Sequence, residues 1–252
     1  MNPTLIALIV FVCVFGGTLL GMCLRVVMPE HHLSDASKDV IKLGMGLIGT
    51  IAALVLGLVI ATAKGSYDTQ DAAVKHSAAK LMLLDRVLAD YGPETKETRA
   101  LIKNALARRI DQIWPQERSQ SSGLDTQSEL PATDIGEKIQ QLVPQNEVQR
   151  GLQARAIQIG GEIMETRWFV LGNAGSSIPL PFLIVVIFWL TIIFGSFGLL
   201  APRNTTVITV LLVCALSVAG AIFLIMEMDQ PFTGLMRISS APLRYALSHL
   251  CQ

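Results

Sequence analysis

His31 and His32 lie side by side between Glu30 and Asp35. Imidazole next to carboxylate is a ligand set for a transition metal. Two solvated histidines in a polar loop are the plainer reading, and no metal is expected there. The other histidines, His76 on the insert's first helix and His249 in the tail, stand in no sequence-local motif for nucleophilic catalysis. Asp68 and Asp71 stand one helical turn apart near Lys75, the pattern of a solvated helix face. Glu227 and Asp229 end a long apolar run. Carboxylates at such an edge either sit solvated at an interface or, repeated around an oligomer, form a ring that attracts cations. Cys13, Cys23, Cys214 and Cys251 show neither a disulfide framework nor zinc-ligand spacing, and buried thiols acting as small apolar groups are expected. No nucleophile-elbow, zincin, P-loop or kinase signature occurs. The chain therefore reads as a non-enzyme without a cofactor.

The elements that carry these residues follow from where charge is missing. Residues 1–24, 43–63, 169–202 and 204–226 contain no charged side chain, while 64–167 holds most of the acids and bases. Over 252 residues the hydrophobic share is 51% and the charged share only 16%, with a mean hydropathy of +0.50. Soluble chains are about one-quarter charged. A bilayer core of about 30 Å takes roughly 20 apolar helical residues. Spans are thus expected at about 4–27, 41–63, 178–200 and 205–228. Lipid leaves no partner for backbone polar groups, so each span is a helix. No basic residue precedes the first apolar run, so it reads as a retained helix rather than a signal peptide. The net charge of +0, with both signs interleaved, gives no basic face for nucleic acid.

The second span carries a stripe of small residues, Gly46, Thr50, Ala53, Gly57 and Ala61, on one helical face. Such a face lets another helix backbone approach closely. The partner is either a helix of the same subunit or, in the sharper reading, a pore or a second copy. Gly17 and Gly21 make a shorter version in the first span; Ala215 and Ala219, with Ser217 and Gly220, do so in the fourth. Gly44, Gly46 and Gly49 also spell G-x-G-x-x-G, but a dinucleotide site needs a strand before it. Arg25 and Lys64 sit at span ends, where long stems reach the interface. Anchoring is preferred over a substrate role. Trp168 and Phe169 precede the third span, as interfacial aromatics do.

The polar insert, 64–177, reads as a helical bundle. Val74, Leu81, Leu84, Leu88 and Tyr91 form a seam over 66–91, stopped by Gly92-Pro93. Ile102, Leu106, Ile110 and Ile113 share a face over 94–114, ahead of Pro115. A mobile loop is expected at 116–131, a short helix at 134–143, and a last helix at 146–169 with Val148, Leu152, Ile159 and Ile163 inward. The helices beside spans two and three are expected to prolong them. The tail, 229–252, holds a short amphipathic segment with Leu243, Leu247 and Leu250 on one face, placed either on the membrane surface or against the bundle. The expected fold is therefore all-α: four transmembrane helices in two hairpins around an extramembrane helical bundle.

Three stretches resemble a known family. They are residues 52–64; Leu84, Asp85 and Arg86 with the following Asp90, Tyr91, Gly92 and Pro93; and Asp229, Gln230, Pro231, Phe232, Thr233, Gly234 and Leu235, running on to residues 240–244. Together they resemble the bacterial bestrophin-like domain family, over most of the chain. The resemblance implies a multi-pass protein of a bacterial inner membrane, with Asp85, Arg86, Pro231, Phe232 and Gly234 as family-motif residues. True bestrophins, to which the family is distantly similar, are pentameric anion channels with an aromatic neck and an acidic calcium clasp. Here the second span has no run of phenylalanines and no dense acidic cluster follows the fourth. Chloride conduction and calcium gating are therefore not carried over.

The functional expectation is a homo-oligomeric, channel-like protein in the lipid bilayer. The alternative is a non-conducting scaffold or sensor whose insert binds a partner protein. Arg25, Lys38, Lys42 and Arg203 lie on the side of the two short loops, which favours those loops inside and the insert outside. The bestrophin resemblance implies the reverse.

Overall fold

The first helix starts where capping chemistry says it should. Asn2 accepts the Thr4 amide at 3.1 Å and Pro3 fills the first turn, so α1 runs Pro3–Val27. This computed structural model describes residues 2–28, 35–115, 132–172, 178–202, 204–232 and 234–251. Glu30, His31, His32, the loop expected at 116–131, residues 173–177, Arg203 and Thr233 lie outside them. The remaining elements are α2 (Asp35–Tyr91), a 3-10 turn (Pro93–Thr95), α3 (Lys96–Ile113), α4 (Ala132–Gln140), α5 (Glu147–Gly172), α6 (Leu180–Leu200), α7 (Thr205–Met228) and α8 (Ala241–His249). Every regular element among the described residues is helical.

Four helices, α1, α2, α6 and α7, are long and apolar enough to cross a membrane. The second is longer than a span requires. Its 57 residues are unbroken, about 85 Å at 1.5 Å per residue. Lys64 to Tyr67 are helical, so the span and the first helix of the insert are one element. It stops where Gly92, at φ +144°, takes a backbone conformation that side-chain-bearing residues rarely adopt. Thr95 Oγ1 then donates to the freed carbonyls of Leu88 at 2.5 Å and Gly92 at 2.8 Å.

Residues cluster into two compact units, one comprising Met1–Tyr67 and Ser176–Met236, the other Asp68–Gly175 and Arg237–Gln252. The tail, read from sequence as a separate segment, is thus divided between them. In the first unit all four apolar helices share one core. Val10 and Val14 of α1, Val59 and Ala63 of α2, Phe194 of α6 and Ile222 of α7 are among its buried residues. Connectivity alone suggests two hairpins. The structure shows α1 packed along α6 and α7, helices that follow the insert.

That packing is a close crossing of backbones. A Cβ on Gly21 would strike the Gly195 carbonyl and lie 2.9 Å from the Leu199 nitrogen; one on Gly198 would strike the Thr18 carbonyl and lie 3.2 Å from the Met22 nitrogen. In lipid, where apolar burial between helices gains little, this intimacy supplies dispersion and Cα–H···O contacts.

In the second unit the seam residues Val74, Leu84, Leu88 and Tyr91 are buried, as are Ile102, Leu106 and Ile110. Trp114 is also buried, and its Nε1–H donates to the Ile238 carbonyl at 2.8 Å. Helix α8 packs on α3. Helix α4 ends at Gln140, ahead of Pro144, with the Gln153 amide donating to the carbonyls of Ile139, Gln140 and Leu142. Val148 departs from its expected inward position, being 73% exposed in the first turn of α5, while Ala156 is buried beside Ile159.

Candidate functional site

The small residues of α2 do not face the core. At about 100° per residue, buried Ala52, Val59 and Ala63 define one side of the helix. Gly46, Thr50, Ala53, Gly57 and Ala61 fall on the opposite side, and all five are exposed. A Cβ at Gly46 or Gly57 would meet nothing within 4 Å. Thr50 turns its hydroxyl back to the Gly46 carbonyl at 2.8 Å, leaving its methyl outward. The small-residue packing face within this chain is therefore the α1–α6 crossing. Spacing alone shows that a face is smooth, not what lies against it.

The four boundary charges separate into two kinds. The Arg25 guanidinium donates to the Ala201 carbonyl and, at 3.4 Å, to Leu200, at the C-terminal end of α6. A cation on orphan carbonyls at a helix C-terminus is favoured by hydrogen bonding and by the helix dipole. Glu227 is only 4% exposed. Its Oε2 accepts the amides of Leu235 at 2.6 Å and Met236 at 3.3 Å. Gly234, at φ +83°, makes the return possible, and a Cβ there would run into the Glu227 carboxylate. Glu227 therefore holds the chain after α7 and is not displayed at the edge. Lys64 and Asp229 are more open. Lys64 sits 5.4 Å from the centre of the Tyr67 ring, and Asp229 caps α7 with its amide on the Ile225 carbonyl at 3.2 Å. Pro231 is buried and Phe232 half-buried in the turn that Glu227 closes.

The adjacent motif residues Asp85 and Arg86 have opposite fates. Arg86 is exposed, 3.4 Å from Asp90 one turn on. Asp85 is buried and takes a two-pronged hydrogen bond from Arg99, 2.7 Å at each oxygen. It also accepts the Cys251 amide at 3.1 Å, and Lys103 donates to the Leu250 carbonyl at 2.9 Å. The bond to Asp85, ahead of the opposing effect of burial, raises the Arg99 guanidinium above its ordinary range. Arg99, Lys103 and Trp114 were missed in sequence. One signal was there, since Asp85 and Arg99 are equidistant from Gly92, where an antiparallel turn brings them opposite each other.

Several other ionisable groups among the described residues form pairs. Lys75 meets Asp71 at 2.6 Å. Lys80 bridges to Glu162 and holds that carboxyl below its usual range; Lys138 does the same for Glu97 at 2.5 Å. Burial, then the charge of Glu94, raises the Tyr91 phenol. His76 is exposed, and His249 lies against Tyr245 with ring centres 4.2 Å apart. Among the described residues no group of three or more His, Cys, Asp or Glu could hold a metal ion.

No curated protein and no solved structure matches the chain. A family model described as the Bestrophin-like domain matches residues 12–243.

Proposed function

Because the chain belongs to the bestrophin-like domain family and is a membrane protein of the bestrophin type, we propose that it works as a homo-oligomeric, channel-like protein. The observation that carries this reading is the exposed small-residue face of α2, turned away from the subunit's own core. A helix surface of Gly, Ala and Thr is suited either to close contact with another copy or to lining a narrow path. We place the protein in a bacterial inner membrane as a multi-pass, non-catalytic component, with the short loops inside. Purified protein in nanodiscs should run as an oligomer, and the same sample in liposomes should pass ions. Gly57→Leu should lower both without unfolding the subunit. A monomer that passes neither anions nor cations overturns the proposal.

A second reading, a scaffold or sensor whose insert binds a partner protein, has one observation in its favour. Val143 and Val148, around the α4–α5 connection, are each 73% exposed. Replacing both with Ser should remove a partner from pull-downs while leaving oligomeric state and flux unchanged.

A further inference from the structure

Two adjoining hollows of about 440 and 580 Å³ lie between α1 and α6. They share Gly17, Leu20, Phe188 and Thr191, so they are two stretches of one groove. It runs from Ile9 and Ile184 to Leu24 and Leu199, about 22 Å at 1.5 Å per residue. That length fits within a bilayer core of about 30 Å. Leu20 and Phe188 are 72% and 59% exposed, so the groove opens outward from the helices. The hydroxyls of Thr191 and Ser196, which also line it, donate to the carbonyls of Ile187 at 2.8 Å and Ile192 at 2.9 Å. With those hydroxyls already satisfied by their own helix, the groove suits an apolar occupant that asks for no hydrogen bond. A helix is about 10 Å across with its side chains and would bridge the groove. An acyl chain is one methylene wide and enters it.

The end of the groove carries a charge. Arg25 follows Leu24 directly, and its guanidinium donates to the carbonyls of Leu200 and Ala201, which follow Leu199. A cation therefore stands just past the groove's end on both helices. It is the first charged side chain after the apolar run of α1, the place where a long stem reaches the interface. Its described partners are carbonyls, which carry no net charge to balance it. Both bonds leave from Nη1, so among the described residues Nε and Nη2 remain for an anion. Guanidinium forks match phosphate oxygens in pairs. We propose that the α1–α6 groove holds an acyl chain of an anionic phospholipid, with Arg25 binding its headgroup phosphate. This rests on the membrane assignment and not on assembly or conduction.

Native mass spectrometry of the full chain, exchanged from detergent against phosphatidylglycerol or phosphatidylcholine, tests it. Phosphatidylglycerol should be retained in preference. Arg25→Gln should weaken that retention about tenfold, the loss expected for one charge-assisted contact, and Arg25→Lys should keep part of it. Gly16 lines the groove, and a Cβ there would meet nothing within 4 Å. Gly16→Leu should therefore fold, fill the groove and abolish retention of both lipids, and it remains informative if Arg25→Gln does not fold. Gly57→Leu, on α2 and outside the groove, should leave lipid retention as it is even where it lowers assembly. Equal retention of the two lipids by the unaltered chain, or full retention in Gly16→Leu, overturns the proposal. Loss of oligomer with lipid retention intact in Gly16→Leu would make a second copy the occupant and overturns it as well.

Discussion

The two units of this protein hold together by different means. In the first, cohesion comes from apolar side chains and from glycines that let α1 and α6 touch backbone to backbone. In the second, it comes from apolar seams joined by ion pairs and caps, such as Asp85–Arg99, Lys80–Glu162 and Trp114 on Ile238. The solvent accounts for the difference. Lipid rewards close contact and penalises unpaired charge, whereas water tolerates charge and rewards apolar burial. Glu227 is a buried charge in the first unit, and it is held by backbone amides.

The largest expected effect lies at the glycine crossing. Gly21→Leu puts a branched side chain where a single methyl already strikes the Gly195 carbonyl. The two backbones must separate, and folded, monodisperse protein should be lost. Gly57→Leu changes a glycine of the same type but points into open space in the folded chain, so its thermal unfolding should stay near wild type. Equal damage from both would show that exposure in the folded chain does not distinguish the two faces.

How much of this was legible follows the same division. The spans were readable because charge is excluded from long stretches, a signal that depends only on composition. The bundle helices were readable because Gly92-Pro93 and Pro115 punctuate clear seams. The direction of each small-residue face was not. Gly21 and Gly57 belong to similar patterns, and only the position of α6 makes one of them indispensable. Glu227 was equally opaque. Its partners are amides made available by the left-handed Gly234, and amides carry no sequence signature.

Next in size is the buried pair of the second unit. Asp85→Ala leaves the Arg99 guanidinium without its carboxylate and frees the Cys251 amide. Breaking a buried pair from one side costs about 3–5 kcal/mol, and the residues around Cys251 should become sensitive to protease. If stability is instead unchanged, ion pairs are not what distinguishes this unit. Glu227→Ala should be milder, about 2–3 kcal/mol for orphaning the Leu235 and Met236 amides, with Glu227→Gln recovering part. An effect confined to the turn after α7, read by hydrogen exchange, would mark Glu227 as a local clasp.

The smallest effect is one of pH, and it reaches only the second unit. Hydrogen bonding to Lys80 holds the Glu162 carboxyl below its ordinary value of 4.5. A carboxyl whose folded value is depressed binds its proton more weakly when folded. Its stabilising contribution is therefore complete above the unfolded value and is lost as pH falls through the folded one. Glu97, held down by Lys138, follows the same sign in the same window. Both pairs are partly solvated, so the loss should be modest and should shrink further in high salt. Lys80→Met removes the cation and should flatten the stability profile below about pH 4.5, with a modest loss of stability near neutrality, where the pair's contribution is complete, and little change in acid. The α1–α6 crossing is built from glycines, threonines and backbone, which do not titrate there. Hydrogen exchange in α1 should therefore stay constant across that window while α5 loosens. If α1 loosens in parallel, the two units share one cooperative transition, and their different chemistry does not make them separable.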